Sequence, residues 1–173
     1  AVAVEAAVEL FYAKVLKVEG RGASHTFVLF ARLSGLVPTI AIVPGRAFAG
    51  HANLAGMSDL LIATRDSAMG MAGPPLVEAA LGIKLKPEEI GPPEVHYAAG
   101  AVDVLVDGEA EAIEAARRYL SYFGPPLPPG EAPDPAALRT LVPDNPRRAY
   151  DVRRVIRGIA DVDSVMELRG GYG

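Results

Sequence analysis

The residue run PGRAFAGHANLAGMSD, at 44–59, carries the strongest chemical signal in this chain. Two apolar runs flank it, TIAIV at 39–43 and LLIAT at 60–64. Small residues where a buried strand feeds a helix leave backbone N–H groups uncovered, and such groups favour an anion or a developing oxyanion. Bulky side chains would keep a carbonyl oxygen from those amides; Ala47, Ala49 and Gly50 do not. Close packing of a helix on a strand uses the same small residues, so both readings stand at this point. A Walker loop is excluded because Gly50 is followed by His51 and Ala52 rather than Lys-Ser/Thr, and the third glycine of a dinucleotide fingerprint is missing. No GxSxG elbow occurs, which disfavours a serine hydrolase. His25, His51 and His96 are isolated and cysteine is absent, so no metal site is expected.

The elements that must position this run follow from periodicity. TIAIV and LLIAT are apolar throughout, as strands covered on both faces are, and AVDVLV at 101–106 reads as a third strand. Helical patterns cover 1–18, 25–33, the HANLAGMSD run and PLVEAAL before Gly82, and KPEEIG at 86–91 reads as a single turn. From 109 to 123, Ala112, Ile113, Ala116, Tyr119 and Leu120 share a face, and Gly124 closes the helix. Strands alternating with helices predict an α/β architecture, and no internal repeat is visible.

FGPPLPPGEAPDP at 123–135 packs six prolines into thirteen residues, the composition of a semi-rigid linker. Beyond it, Asn145-Pro146 reads as a helix start. Val152, Val155, Ile156 and Ile159 form an apolar stripe, with Arg147, Arg148, Arg153, Arg154 and Arg157 on the other faces. SVMELRGGYG reads as a strand entering a glycine turn, so a second domain begins and is not finished, the pattern of a fragment. The expected division is 1–124, a linker at 125–145, and 146–173.

With 173 residues, 50% of them hydrophobic, the chain can bury about 70% of its unfolded surface. A net charge of −4, with both signs dispersed, disfavours a general nucleic-acid binder. No apolar run reaches the roughly 20 residues of a membrane span. With no cysteine, the expectation is a soluble, cytoplasmic protein.

The 45–59 segment between its two strands resembles the oxyanion segment of the crotonase superfamily. More closely, the chain resembles the carboxyltransferase component of biotin-dependent acyl-CoA carboxylases. The likeness runs in order through FARLSGLVP, GRAFAGHANLAGMSDLLIAT, GMAGPPLVE, KPEEIGPPEVH, GAVDVLVDGEAEAI, RRYLSYFGP and AYDVRRVIRGIADVDSVMEL, roughly residues 28–173; 1–24 are not placed.

The resemblance implies a partial crotonase-like ββα superhelix at 1–124 and the start of a second such domain at 146–173. It implies carboxyl transfer from carboxybiotin, borne on a carrier protein, to an acyl-CoA of the acetyl or propionyl type. Ala49 and Gly50, where the family often has Gly-Gly, would supply backbone N–H groups to the enolate oxygen. Gly45, Arg46, Ala47, Phe48, Gly73 and Pro74 would contact the substrate. The five arginines at 147–157 could meet CoA phosphates, although a solvated or subunit-facing helix surface accounts for them better. Asn53 stands where enoyl-CoA hydratases carry a catalytic glutamate, and an amide cannot shuttle protons, which disfavours hydration. No cofactor would be bound by this chain alone. Biotin carboxyl carrier protein, biotin carboxylase and further copies of the chain would be partners, as in a family often hexameric. Holding one of two substrate sites, the isolated chain is expected to be inactive. A non-catalytic crotonase-like scaffold and a biotin-independent acyl-CoA decarboxylase are the alternatives.

Overall fold

The computed structural model describes residues 24–125 and 128–172. The helix expected at 1–18 lies outside them. The described chain forms two compact units, one of residues 24–123 with 168–172, the other within 124–167.

The first unit is α/β, as expected, and all of its strand pairs are parallel. Its elements are α1 (Ser24–Ala31), β1 (Ile40–Val43), β2 (Arg46–Phe48), α2 (Gly50–Gly56), β3 (Leu60–Thr64), β4 (Ala68–Gly70), α3 (Pro74–Leu81), α4 (Pro87–Ile90), α5 (Pro93–Ala98), β5 (Val104–Val106) and α6 (Glu109–Ser121). One sheet has the order β1-β3-β5, with Ile40 opposite Leu60 and Ile62 opposite Val104. A second sheet pairs β2 with β4, setting Arg46 opposite Ala68 and Phe48 opposite Gly70.

A strand-strand-helix unit therefore occurs twice, as β1-β2-α2 and β3-β4-α3, with first strand on first and second on second. The sequence shows no such repeat, because three-residue strands are too short to carry a period. The expected third strand shrinks to Val104–Val106; Val102 and Asp103 before it are buried.

β3 is buried at every position because it is the central strand of its sheet, with α6 against it. Full burial of a Leu or Ile side chain contributes about 1.5–3 kcal/mol, and Leu60 and Ile62 expose nothing. Ala41, Ala47, Ala55 and Ala63 are buried with Val43, Leu61 and Met69, so small side chains let α2 and both sheets approach closely.

Polar side chains fix the frame. Asp59 Oδ2 accepts from both Thr39 N–H and Thr39 Oγ1, each at 2.8 Å, which registers the start of β1 against β3. Asp103, 5% exposed, accepts from Leu61 N–H at 2.8 Å and from Arg169 Nε at 2.7 Å. Arg169 N–H also donates to the Asp103 carbonyl, and the rings of Tyr97 and Tyr172 lie over Gly171 and Gly100. The 168–172 segment thus belongs to the first unit.

In the second unit, a 3-10 turn (Pro135–Ala137) runs into α7 (Leu138–Leu141), and α8 spans Val152–Ile159. Asn145-Pro146 does not start a helix. Asn145 Oδ1 accepts from Arg147 N–H and closes a local turn, the geometry that competes with helix capping. Asp151 caps α8 instead, accepting from Arg153 N–H. Leu138 and Leu141 meet α8 at Gly158, while Val152, Ile156 and Ile159 of the apolar stripe stay exposed. The strand expected near 164–168 does not form; the chain there has no regular structure. Among the described residues no helix is long and apolar enough to cross a membrane.

Candidate active site

The 45–50 turn leaves β1 and contains β2, so a short strand stands between β1 and α2. Gly45 O accepts from Ala68 N–H at 3.0 Å, which anchors the first residue of the turn to β4. Ala47 points into the core. Phe48 is half-buried and packs over the two glycines that flank Met71 and Ala72: a Cβ on Gly70 would lie 3.2 Å from its ring, and one on Gly73 3.9 Å from its Cβ. Phe48 thereby brings the turn beside Gly73 and Pro74, the N-cap and first residue of α3.

Ala49 adopts φ 52° and ψ −118°, a conformation glycine takes freely and alanine takes only under constraint. Its N–H donates to the Gly70 carbonyl at 2.9 Å. The expected donor pair is therefore divided. Ala49 N–H is committed inside the protein and cannot serve a ligand while that bond stands, because an N–H has one proton to give. Gly50 begins α2 after this turn, and among the described residues its N–H has no acceptor. Gly73 N–H is likewise unmatched among them.

Arg46 turns away from the turn. Its guanidinium donates to Glu88 Oε1 of α4, at 3.1 Å from Nε and 2.8 Å from the terminal nitrogen. Glu88's own backbone N–H, and then Arg46, hold the Glu88 carboxyl below the usual carboxylate range. On α6, burial, followed by the charges of Asp59 and Asp103, pushes the Tyr119 hydroxyl up. His51 is exposed on α2 and Asn53 half-buried one residue pair further on. His96 Nε2 meets the Met69 carbonyl at 2.9 Å, a bond within the frame. Of the arginines in the second unit, Arg153 pairs with Glu167 at 2.5 Å.

A groove of about 490 Å³ lies along α6, lined by Ala110, Glu111, Ile113, Glu114 and Arg117. None of these belongs to the turn. Among the described residues, no group of three or more His, Cys, Asp or Glu side chains converges as metal ligands do.

What the turn offers is a backbone N–H without an acceptor among the described residues, preceded by a constrained residue, with the Phe27 ring beside it. That arrangement can donate a hydrogen bond to a carbonyl oxygen that gains negative charge. Gly70 and Glu88, which hold Ala49 and Arg46, escaped sequence reasoning; the only sequence signal for the first was the glycine opening GMAGPP.

Comparison with known proteins adds to this geometry. Residues 14–173 match the carboxyl transferase domain family. The biotin-dependent acetyl-/propionyl-coenzyme A carboxylase beta5 subunit of Mycobacterium leprae (strain TN) is 28% identical over 157 residues, 80% of this chain and 29% of that protein. The structure of a single-chain, multi-domain long-chain acyl-CoA carboxylase superposes with a TM-score of 0.80 at 46% identity, covering 89% of this chain and 16% of that one. The transcarboxylase 12S structure with hydrolysed methylmalonyl-coenzyme A bound gives 0.76 at 28%, covering 87% and 32%. The chain spans about 30% of the length of the curated relatives it matches. The parallel α/β architecture agrees with these solved structures.

Proposed function

Because the chain belongs to the carboxyl transferase domain family, we propose that it forms part of the acyl-CoA side of a biotin-dependent carboxyltransferase. The observation that carries this reading is the uncommitted Gly50 N–H next to the constrained Ala49. In carboxyl transfer the α-carbon of the acyl-CoA would give its proton to the ureido nitrogen left basic when carboxybiotin releases CO₂. The thioester oxygen gains negative charge as the enolate forms. Gly50 N–H donates to that oxygen, and the α-carbon then bonds to the CO₂ released from carboxybiotin. One such donor is worth about 10²–10³ in rate. Gly45, Phe48, Gly73 and Pro74 line the approach of the acyl group, with Ala47 buried beneath them and Arg46 held by Glu88. Asn53 supplies no acid or base, in keeping with a reaction in which no water is added.

The carboxybiotin arrives on a carrier protein charged by a biotin carboxylase, and the working assembly contains further copies of the chain in the cytoplasm. Residues 1–124 are the later part of a first crotonase-like domain and 146–167 begin a second, while 168–172 pack with the first. Titrating the ¹⁵N-labelled chain with propionyl-CoA tests the assignment. The amide signals of Gly50 and His51 are expected to move together and saturably; a titration that leaves both in place overturns it.

A further inference from the structure

We infer that His96 is a positioning residue for the Gly50 amide, acting through the end of β4. This rests on the reading of Gly50 as the oxyanion donor.

The link is a short series of backbone bonds. His96 Nε2 lies 2.9 Å from the Met69 carbonyl oxygen. That oxygen can only accept, so Nε2 carries the proton. Met69 N–H donates to the Gly91 carbonyl at 2.9 Å, and Gly91 approaches so closely that a Cβ there would fall 1.6 Å from Met69 O and 3.1 Å from His96 Nε2. Both polar groups of Met69's backbone are thus held from the side of α4 and α5. The following residue, Gly70, gives its carbonyl to Ala49 N–H.

His96 is itself fixed. Its carbonyl accepts from Ala101 N–H at 2.9 Å and Val102 N–H at 3.2 Å, and Val102 is completely buried. The residue ties the approach to β5 in the main sheet to β4 in the small one.

Ala49 needs that tie. A non-glycine residue at φ 52° persists only where its surroundings over-determine it. β4 has three residues, so its own ladder with β2 supplies little stiffness. Without the His96 bond the Met69–Gly70 peptide is free to tilt, Gly70 O withdraws from Ala49 N–H, and Ala49 relaxes. Gly50 N–H then changes direction. His96 touches no reacting atom in this account; it sets where the donor points.

The test compares the full chain with His96→Ala and His96→Gln, in which the glutamine amide N–H occupies the place of Nε2. Amide exchange is followed at Ala49, Ile62 and Leu105, and the Gly50 signal is titrated with propionyl-CoA. In His96→Ala, Ala49 exchange is expected to quicken about tenfold, the loss of one hydrogen bond, and the propionyl-CoA shift at Gly50 to weaken by a similar factor. Ile62 and Leu105 stay slow, and His96→Gln restores both readouts. Unchanged Ala49 exchange in His96→Ala, equal quickening at Ile62, or no recovery with glutamine overturns the inference. If His96→Ala does not fold, the native chain decides: a through-bond coupling between His96 Nε2 and the Met69 carbonyl carbon is expected, and its absence overturns the inference. A native chain that ignores propionyl-CoA sinks the functional reading alone, because the exchange data judge His96 separately.

Discussion

Ala49 N–H donates to the carbonyl of Gly70 across the β2–β4 edge, and this one bond separates two adjacent amides into a structural one and a free one. It also holds alanine at φ 52°, where a side chain costs about 1–3 kcal/mol. Ala49→Gly removes that cost, against about 0.5–1 kcal/mol of extra chain entropy lost by glycine. The expected net effect is a stabilisation of about 1 kcal/mol, read from the urea midpoint at unchanged slope. A loss of stability would show that Ala49 is not strained.

Gly50 is the place to separate donor from backbone. Among the described residues a Cβ there meets only Phe27, at 3.6 Å, so Gly50→Ala is expected to fold and keep its N–H. Gly50→Pro deletes the N–H at the first position of a helix, where proline's fixed φ is acceptable. In a complete carboxylase bearing this segment, Pro is expected to lower kcat about 10²–10³-fold and Ala to leave it within about tenfold. Circular dichroism and assembly state check that each variant is intact. An intact, fully active proline variant removes Gly50 from the mechanism.

Gly91→Ala is expected to cost at least about 3 kcal/mol, because the new methyl would sit 1.6 Å from a backbone oxygen that cannot move without breaking β4. Gly45→Ala, with open space at its Cβ, serves as the contrast and is expected to change stability by less than about 0.5 kcal/mol. Thermal unfolding of the two measures the difference.

Glu88 gives a pH signature. Its carboxyl is held below the ordinary 4.5, so its contribution to stability is complete above that value and disappears as pH falls through the lower folded value. Both side chains are largely solvated, so the effect is small and screened by salt. Arg46→Ala is expected to raise the Glu88 titration midpoint, followed by ¹³C carboxyl shifts, only part of the way to 4.5, because Glu88's own backbone N–H remains. A midpoint that does not move would show that Arg46 and Glu88 do not pair in solution.

Arg169→Ala leaves the buried Asp103 carboxylate with Leu61 N–H but without its cationic partner. With the arginine side chain 57% exposed, the expected cost is about 1–2 kcal/mol rather than that of a fully buried pair. Unfolding midpoints of Arg169→Ala and Arg169→Lys measure it, and no change in either would show that the ion pair adds nothing.

The parts legible in the sequence share one physical cause. LLIAT announces itself because a strand covered on both faces needs an unbroken apolar run. TIAIV does so by the same apolarity, although Ile40 and Ile42 are only half-buried. α6 shows through Ala112, Ala116 and Tyr119 at helical spacing, while Ile113 and Leu120 of the expected face are exposed. β2 and β4 do not show, since three residues carry no period and their pairing joins positions far apart in the chain. Asn145-Pro146 misleads because an asparagine oxygen accepts equally well from a turn amide or from a helix N-terminus. The 45–59 stretch was legible as a place of small residues, but which amide is free depends on Gly70, whose role only pairing reveals. Ala47 and Ala55 show that close packing, the plainer use of small residues, holds within the same stretch.

The return of residues 168–172 to the first unit means that the chain leaves that unit near 124 and comes back to it. A separate peptide would have to find Asp103 by its own affinity. Here the polypeptide between acts as a tether, which holds Arg169 and Tyr172 near their partners at an effective concentration on the order of millimolar. One ion pair, one backbone bond and two ring contacts are then enough to keep the segment seated. A single proteolytic cut near 124, where the chain leaves the first unit, would replace that local concentration with the bulk one. The seating would become dilution-sensitive, although no atom that makes it had been touched.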